Sequence, residues 1–205
     1  MKQRSVGRRR KDEEMAVQEE YGTTTTPVTA GRWELDPSHS SVEFWARHLG
    51  LSKVRGRFND FSAEITVGKT LEDTRFGATM KAESIETRFD ARDQHLRSPD
   101  FLDIEKFQDV KFASTSIEPA GDGEYKVNGT LTIRDTTKPV TLDVEIHGEV
   151  DDPMSGTKRA GFSASTSFDR EDFGMTWNGA IEIGGFVGKK VHIEIEGEAL
   201  LQQDA

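Results

Sequence analysis

The sequence predicts an all-β domain: an antiparallel barrel of roughly eight strands, with one short helix near residues 90–97. Three observations predict it. From Trp33 onward apolar and polar residues alternate at period two over most of the chain, the mark of strands with one dry and one wet face. Breakers at Gly121-Asp122-Gly123, Asp151-Asp152-Pro153 and Gly184-Gly185 divide the runs, at spacings that suit hairpins and a meander. Hydrophobic residues make up only 34% of the chain, alongside 19 glycines; that is lean, but it is enough where only every second strand residue must be apolar. About eight strands is the number that closes into a barrel just wide enough for side chains or one small ligand.

Each element has its own signal. Residues 1–30 are polar, contain the run Thr23–Thr26 and hold too few apolar side chains to offset ordering entropy, so they are expected to be a disordered tail, with the domain over 31–202. Val42, Phe44, Ala46 and His48 share one strand face, with Glu43, Trp45 and Arg47 on the other. Val54, Gly56 and Phe58 follow, then Ile65 and Val67, then Phe76, Ala78, Met80 and Ala82. Asp90 is placed as the N-cap of a helix that has Asp93 in its first turn and is stopped by Ser98-Pro99. Phe101, Leu102, Ile104 and Phe107 come next in a loop-like stretch, and helix and loop together are expected to form a lid over one barrel mouth. Strands resume with Val110 and Phe112. Tyr125, Val127, Gly129, Leu131 and Ile133 share a face, as do Val140, Leu142, Val144 and Ile146, then Phe162, Ala164, Thr166 and Phe168, and finally Val191, Ile193 and Ile195. A one-residue slip would turn each set inside out, so the registers are well specified. Phe173-Gly174-Met175 reads as a turn whose glycine supplies unusual dihedrals, and Trp177, Phe186 and Val187 are assigned to the second mouth or to a dimer contact.

Composition removes several function classes. The chain has no cysteine, which excludes disulfides, thiolate nucleophiles and Cys-ligated metals and leaves the redox compartment open. The net charge is −10; residues 1–14 hold six Lys/Arg against three Asp/Glu, so the rest of the chain carries −13. So acidic a domain repels phosphate backbones, and no nucleic-acid partner is expected. It is also expected to stay off anionic membrane surfaces, the short basic stretch aside. No apolar run approaches a membrane span, and no apolar h-region follows the basic N-terminus, so no secretory signal is read and a cytoplasmic location is expected.

Four stretches together resemble the YceI-like, polyisoprenoid-binding family of lipocalin-like barrels, from about Trp33 to Leu200. They are Trp33-Glu34-Leu35-Asp36-Pro37-Ser38-His39-Ser40 with Val42-Glu43-Phe44 and Arg47-His48-Leu49-Gly50; His95-Leu96-Arg97-Ser98 with Asp100-Phe101-Leu102 and Val110-Lys111-Phe112; Gly129-Thr130-Leu131-Thr132-Ile133 with Thr137-Lys138-Pro139-Val140-Thr141-Leu142; and Asp169-Arg170-Glu171-Asp172-Phe173-Gly174-Met175. The resemblance implies an eight-stranded antiparallel barrel whose apolar lumen holds a polyprenyl or other long-chain lipid, often in a homodimer and often in the periplasm. The chain departs from the pattern in lacking a leader, in Gln108 where Pro is usual, and in Arg134-Asp135 where Lys-Gly is usual.

The functional reading combines both lines. The expected activity is non-catalytic binding, storage or transport of a long-chain apolar lipid, polyisoprenoid or fatty-acid-like, with no cofactor and no metal. The residues expected around the lipid are Phe44, Ala46, His48, Phe58, Ile65, Met80, Phe101, Phe107, Phe112, Leu131, Leu142, Val144, Phe162 and Phe168. The competing reading of the same set is an ordinary filled core, and a stress-related interaction protein would follow from it. Arg88, Arg92 and Arg97 flank the lid helix and suit a diphosphate or carboxylate headgroup, although a solvated helix face pairing them with Asp90, Asp93 and Asp100 explains them more simply. An enzyme acting on a lipid or small acid would use His48 or His95 with nearby carboxylates, but no nucleophile or metal motif accompanies them. His147 and His192 each sit among glutamates on a polar strand face, which a wet outer wall explains more simply than a metal site.

Overall fold

The computed structural model describes residues 26–179 and 186–202. Eleven strands lie in one antiparallel sheet: β1 (Gly31–Leu35), β2 (Ser41–His48), β3 (Ser52–Phe58), β4 (Phe61–Val67), β5 (Arg75–Lys81), β6 (Ile85–Glu86), β7 (Asp109–Pro119), β8 (Glu124–Ile133), β9 (Thr136–Asp151), β10 (Lys158–Asp169) and β11 (Val187–Leu201). Eight of them close a barrel in the order β1-β4-β5-β7-β8-β9-β10-β11, with β11 returning to β1. The remaining three, β2-β3-β6, extend the wall at one end. Strand β11 serves both parts: Val191–Glu196 pair with β2, and Ala199–Leu201 pair with β1.

That sharing follows from local chemistry between β1 and β2. Asp36 caps the short 3-10 turn Pro37–His39 by accepting from the Ser38 backbone N–H at 3.0 Å, so one strand path breaks and resumes in a new direction. Interior glycines let aromatic rings lie across neighbouring strands. A Cβ on Gly56 would sit 2.3 Å from the ring of Phe44, its register partner, and one on Gly197 would sit 2.6 Å from Phe162. A β-bulge at Gly161/Phe162 adds a local bend.

The helix, α1 (Asp90–Arg97), is where the sequence places it, but its N-cap is Phe89, which makes no side-chain cap. Asp90 belongs instead to the first turn, where a carboxylate complements the helix dipole. The stronger fixing comes from Asp93, which is buried and accepts from both the backbone N–H (2.8 Å) and the hydroxyl (2.5 Å) of Thr87. Gly174 has the positive φ expected of it, +76°, and closes a 3-10 turn over Arg170–Phe173. Most of the expected tail lies outside the described residues. Residues 26–30, grouped with that tail by composition, run against the barrel: Thr29 donates to Glu149 through its backbone (2.6 Å) and its hydroxyl (2.9 Å), and the Trp33 indole donates to the Thr29 carbonyl at 3.0 Å.

Candidate functional site

The inner faces of the strands enclose two apolar chambers, one above the other. The upper chamber, beneath α1, holds about 140 Å³ and the lower about 130 Å³. Phe76 and Leu142 border both, and the rings of Phe76 and Phe112 meet at 5.8 Å to make the waist between them. An apolar cavity of about 150 Å³ accommodates a benzene-sized group, so each chamber has room for about six carbons. The interior is therefore not the filled core of the competing reading.

The residues expected around a lipid separate into three groups. Phe44, Ala46, Phe58, Met80, Phe101, Phe112, Leu131 and Phe168 line the upper chamber; Ile65, Val144 and Phe162 line the lower; Leu142 touches both. Phe101 lies outside the strands yet is only 5% exposed, because the loop after α1 turns it inward as part of the roof with Leu96 and Leu102. The other two are elsewhere. Phe107 lines neither chamber; it lies half-buried beside the Arg134 guanidinium, 5.8 Å from its ring centre. His48 continues the inward parity of β2 but falls at the end of that strand, where it is exposed at the rim.

That rim bounds a further opening of about 430 Å³, which joins the lid to the upper chamber through shared Phe44, Ala46, Leu96 and Phe101. Thr87, Phe89, Arg92, His95, Trp177 and Phe186 complete it. Trp177, Phe186 and Val187 thus belong to the lid mouth and not to a second one. The Trp177 ring meets His95 edge-on at 4.5 Å, and His95 meets Phe101 edge-on at 5.0 Å. His95 also contacts Asp100 at 2.9 Å. His48 takes no part in that cluster; its ring lies 6.4 Å from Phe186.

The three arginines at the lid are unequal. Arg97 donates to the carbonyls of Glu83 (2.9 Å) and Ile85 (2.7 Å), which ties α1 to the sheet. Arg92 donates to the Thr87 hydroxyl and carbonyl at the mouth. Arg88 is exposed in a left-handed backbone conformation, with φ 61°.

The sequence reading missed Arg170. It is 2% exposed and borders the upper chamber. Its guanidinium donates to the carbonyls of Met175, Gly188 (3.2 Å) and Val187 (3.3 Å). Burial depresses its pKa, against the raising effect of Glu171 and Asp169. Strand parity could have found it, since Phe162, Ala164, Thr166, Phe168 and Arg170 fall on one face. Burial likewise raises the Tyr125 phenol in the lower chamber.

The histidines of the outer wall are not brought together. His192 stacks on Trp45 at 3.7 Å, and burial followed by nearby Lys190 and Lys53 lowers its pKa. His147 lies 3.9 Å from Glu145. Among the described residues the cluster with metal-like spacing is Asp36, His39 and Glu198. Arg159 binds two of these directly, at 2.8 Å to Asp36 and 2.7 Å to Glu198, and Asp152 at 2.8 Å, so a cation already fills the centre. No helix among the described residues is long and apolar enough to cross a membrane.

Known proteins match this arrangement in sequence and in shape. A UPF0312 protein of Shewanella oneidensis is 38% identical over 151 residues, 72% of this chain and 78% of that protein. One of Vibrio parahaemolyticus is 35% identical over 158 residues, 77% and 82% of the two chains. The crystal structure of a Campylobacter jejuni YceI protein aligns with a TM-score of 0.66 at 31% identity, covering 77% of this chain and 90% of that one. A polyisoprenoid-binding domain from Saccharophagus degradans, implicated in plant cell wall breakdown, shares the fold with a TM-score of 0.60 at 14% identity, over 83% and 98%. The model of the YceI-like domain matches residues 33–199, which contain nearly all of the barrel, the upper chamber and the described lid mouth, and the chain belongs to the YceI-like family.

Proposed function

We propose that this protein binds one long-chain apolar lipid in its barrel lumen and does no chemistry on it. The observation that carries the reading is the pair of stacked apolar chambers, reached from the lid mouth and meeting at the Phe76–Leu142 waist. Together they suit about twelve methylene-sized groups. Burying such a chain gains on the order of 10 kcal/mol gross at ~0.8 kcal/mol per methylene, and ordering and lost freedom offset a large part. The polyisoprenoid-binding domain with the same fold supports a ligand of this class. Against an enzyme stands the lining itself: in the upper chamber Thr166 and Arg170 are the polar side chains among the described residues, and both donate to backbone carbonyls, not to a carboxylate or imidazole. His95 with Asp100 lies outside, at the lid.

The test is native and denaturing mass spectrometry of freshly purified protein, with solvent extraction. The expected result is a mass lost on denaturation and an isoprenoid or acyl species in the extract. Bare protein that also fails to take up added polyprenyl phosphates and fatty acids would overturn the reading.

A further inference from the structure

The net charge of the domain hides a local reversal. In the β2–β3 hairpin, residues 45–57 contain Arg47, Lys53, Arg55 and Arg57 and no acid. Arg55 is paired with Glu194 at 2.9 Å and Arg57 with Glu86 at 2.8 Å. Arg47 donates to the Leu51 carbonyl at 2.7 Å, and the Lys53 ammonium lies 3.8 Å above the Trp45 ring. Neither these two nor Arg88 and Arg92 has an acidic partner within ion-pair distance among the described residues. The acids facing this corner are Glu86 and Glu194, both paired, Asp93, buried against Thr87, and exposed Asp90.

The same corner exposes large apolar side chains. Leu51 is 76% exposed, Phe89 59%, Leu49 42% and Phe186 39%. They surround one place. The Leu49 N–H bonds to the Phe186 carbonyl at 3.0 Å, the Leu51 N–H bonds to the His48 carbonyl at 2.9 Å, and Phe89, Phe186 and His48 line the lid mouth. Apolar side chains clustered on a surface mark an interaction site, and here they ring the opening that communicates with the upper chamber.

We propose that the lid mouth docks on an anionic lipid surface, with Leu49 and Leu51 at the hairpin tip inserting between headgroups while Arg47, Lys53, Arg88 and Arg92 meet the negative charge. A partner of this chemistry matches both features at once: an apolar layer beneath a negative one. Docking there would let an apolar chain pass between lipid and lumen without crossing water. What passes rests on the lumen reading above; the docking does not. The net negative charge of the remainder opposes adsorption on average, so the reversal also favours this orientation.

The test is co-sedimentation of the full chain with vesicles of phosphatidylcholine alone and of equal parts phosphatidylcholine and phosphatidylglycerol. Binding is expected to the mixed vesicles, to fall with added salt, and to be weaker on phosphatidylcholine. L51S/K53E is expected to bind the mixed vesicles at least about tenfold more weakly, since one cation near such a surface is worth about fivefold and its reversal more. The variant should melt like the parent and still take up oleate from solution. If it melts lower, K53E alone, at an exposed position, carries the comparison. Wild-type protein that ignores the mixed vesicles would overturn the proposal. So would variants that bind as well as the parent, which would assign adsorption to the basic N-terminal stretch. Vesicle binding without lipid uptake would remove the lumen reading and leave the docking, and uptake without vesicle binding would do the reverse.

Discussion

If the lower chamber holds the far end of a ligand, filling it should shorten the longest chain the protein can bind. Ala164 is the place to do so. It is buried on β10 opposite Ile195 and Val144, and it faces the lower chamber well below the lid mouth. Ala164→Phe adds about six carbons, displacing about six methylene-sized groups, or about 5 kcal/mol gross at ~0.8 kcal/mol each. Ordering of the same length of chain offsets about half. About 2.5 kcal/mol remains, close to a 70-fold rise in Kd. A chain of about six carbons, which the upper chamber alone accommodates on the estimate above, should lose nothing. The assay is calorimetric titration of parent and variant with saturated fatty acids of about six and about twelve carbons, with thermal melting as the control. The expected signature is selective: weakened binding of the long chain, unchanged binding of the short one, and a melting temperature held or raised because a cavity has been filled. A folded variant that binds both acids as the parent does would refute the lower chamber as part of the site. Equal weakening of both would show that the barrel had deformed, and that the chambers do not act as successive segments of one lumen.

Two further outcomes follow from polar groups at the ends of the barrel. Arg170→Met leaves the buried carbonyls of Met175, Val187 and Gly188 without their donor, and should lower stability by about 2–4 kcal/mol in urea unfolding monitored by tryptophan fluorescence; a loss of a few tenths would mean that the guanidinium holds nothing together. Arg159→Met tests the network at the other end, where hydrogen bonds from Ser38 and then Arg159 hold the Asp36 carboxyl well below the usual range, and the Met154 backbone N–H followed by Arg159 brings Asp152 down to about 2. Both folded pKa values lie below the ordinary 3.8, so their contribution to stability is present above about pH 4 and is lost as pH falls toward 2. The variant should therefore melt several degrees below the parent near neutrality, and the gap should narrow through that acid window. A pH-independent gap would assign the loss to packing alone.

Much of this was legible because a strand reports its faces directly. The sets that begin at Val42, Tyr125, Val140, Phe162 and Val191 each point into the lumen, since period two leaves no freedom once one face is apolar. The lid helix was legible from the break in that period and from Ser98-Pro99. Parity carries no information about where a strand stops. His48 has the parity of Phe44 and Ala46, yet two residues further along β2 the wall has ended and the side chain is at the rim. Nor does it reach the loops: Phe101 and Phe107 fall in the same loop-like stretch, and its backbone hydrogen bonds differ at the two positions, from the Phe101 N–H to the Ser98 carbonyl and from the Phe107 N–H to the Asp103 carbonyl.

Net charge is silent on local association for a related reason: it is an average, and association is decided where surfaces meet. A value of −10 for the chain says correctly that most of the wall repels anions. It says nothing of the β2–β3 corner, where two of the four hairpin cations are neutralised and two are not. The strand pairing creates that difference. Register places Glu86 beside Arg57 and Glu194 on the face of Trp45 and Arg55, so acids from β11 and β6 reach the base of the hairpin and stop short of its tip. Leu49 and Leu51 lie beyond the last pair, His48 with Ser52, where no further strand covers them. The exposed apolar tip and the uncompensated cations therefore have one cause: the hairpin outruns the strands that would otherwise cover and neutralise it, and it does so beside the opening of the lumen.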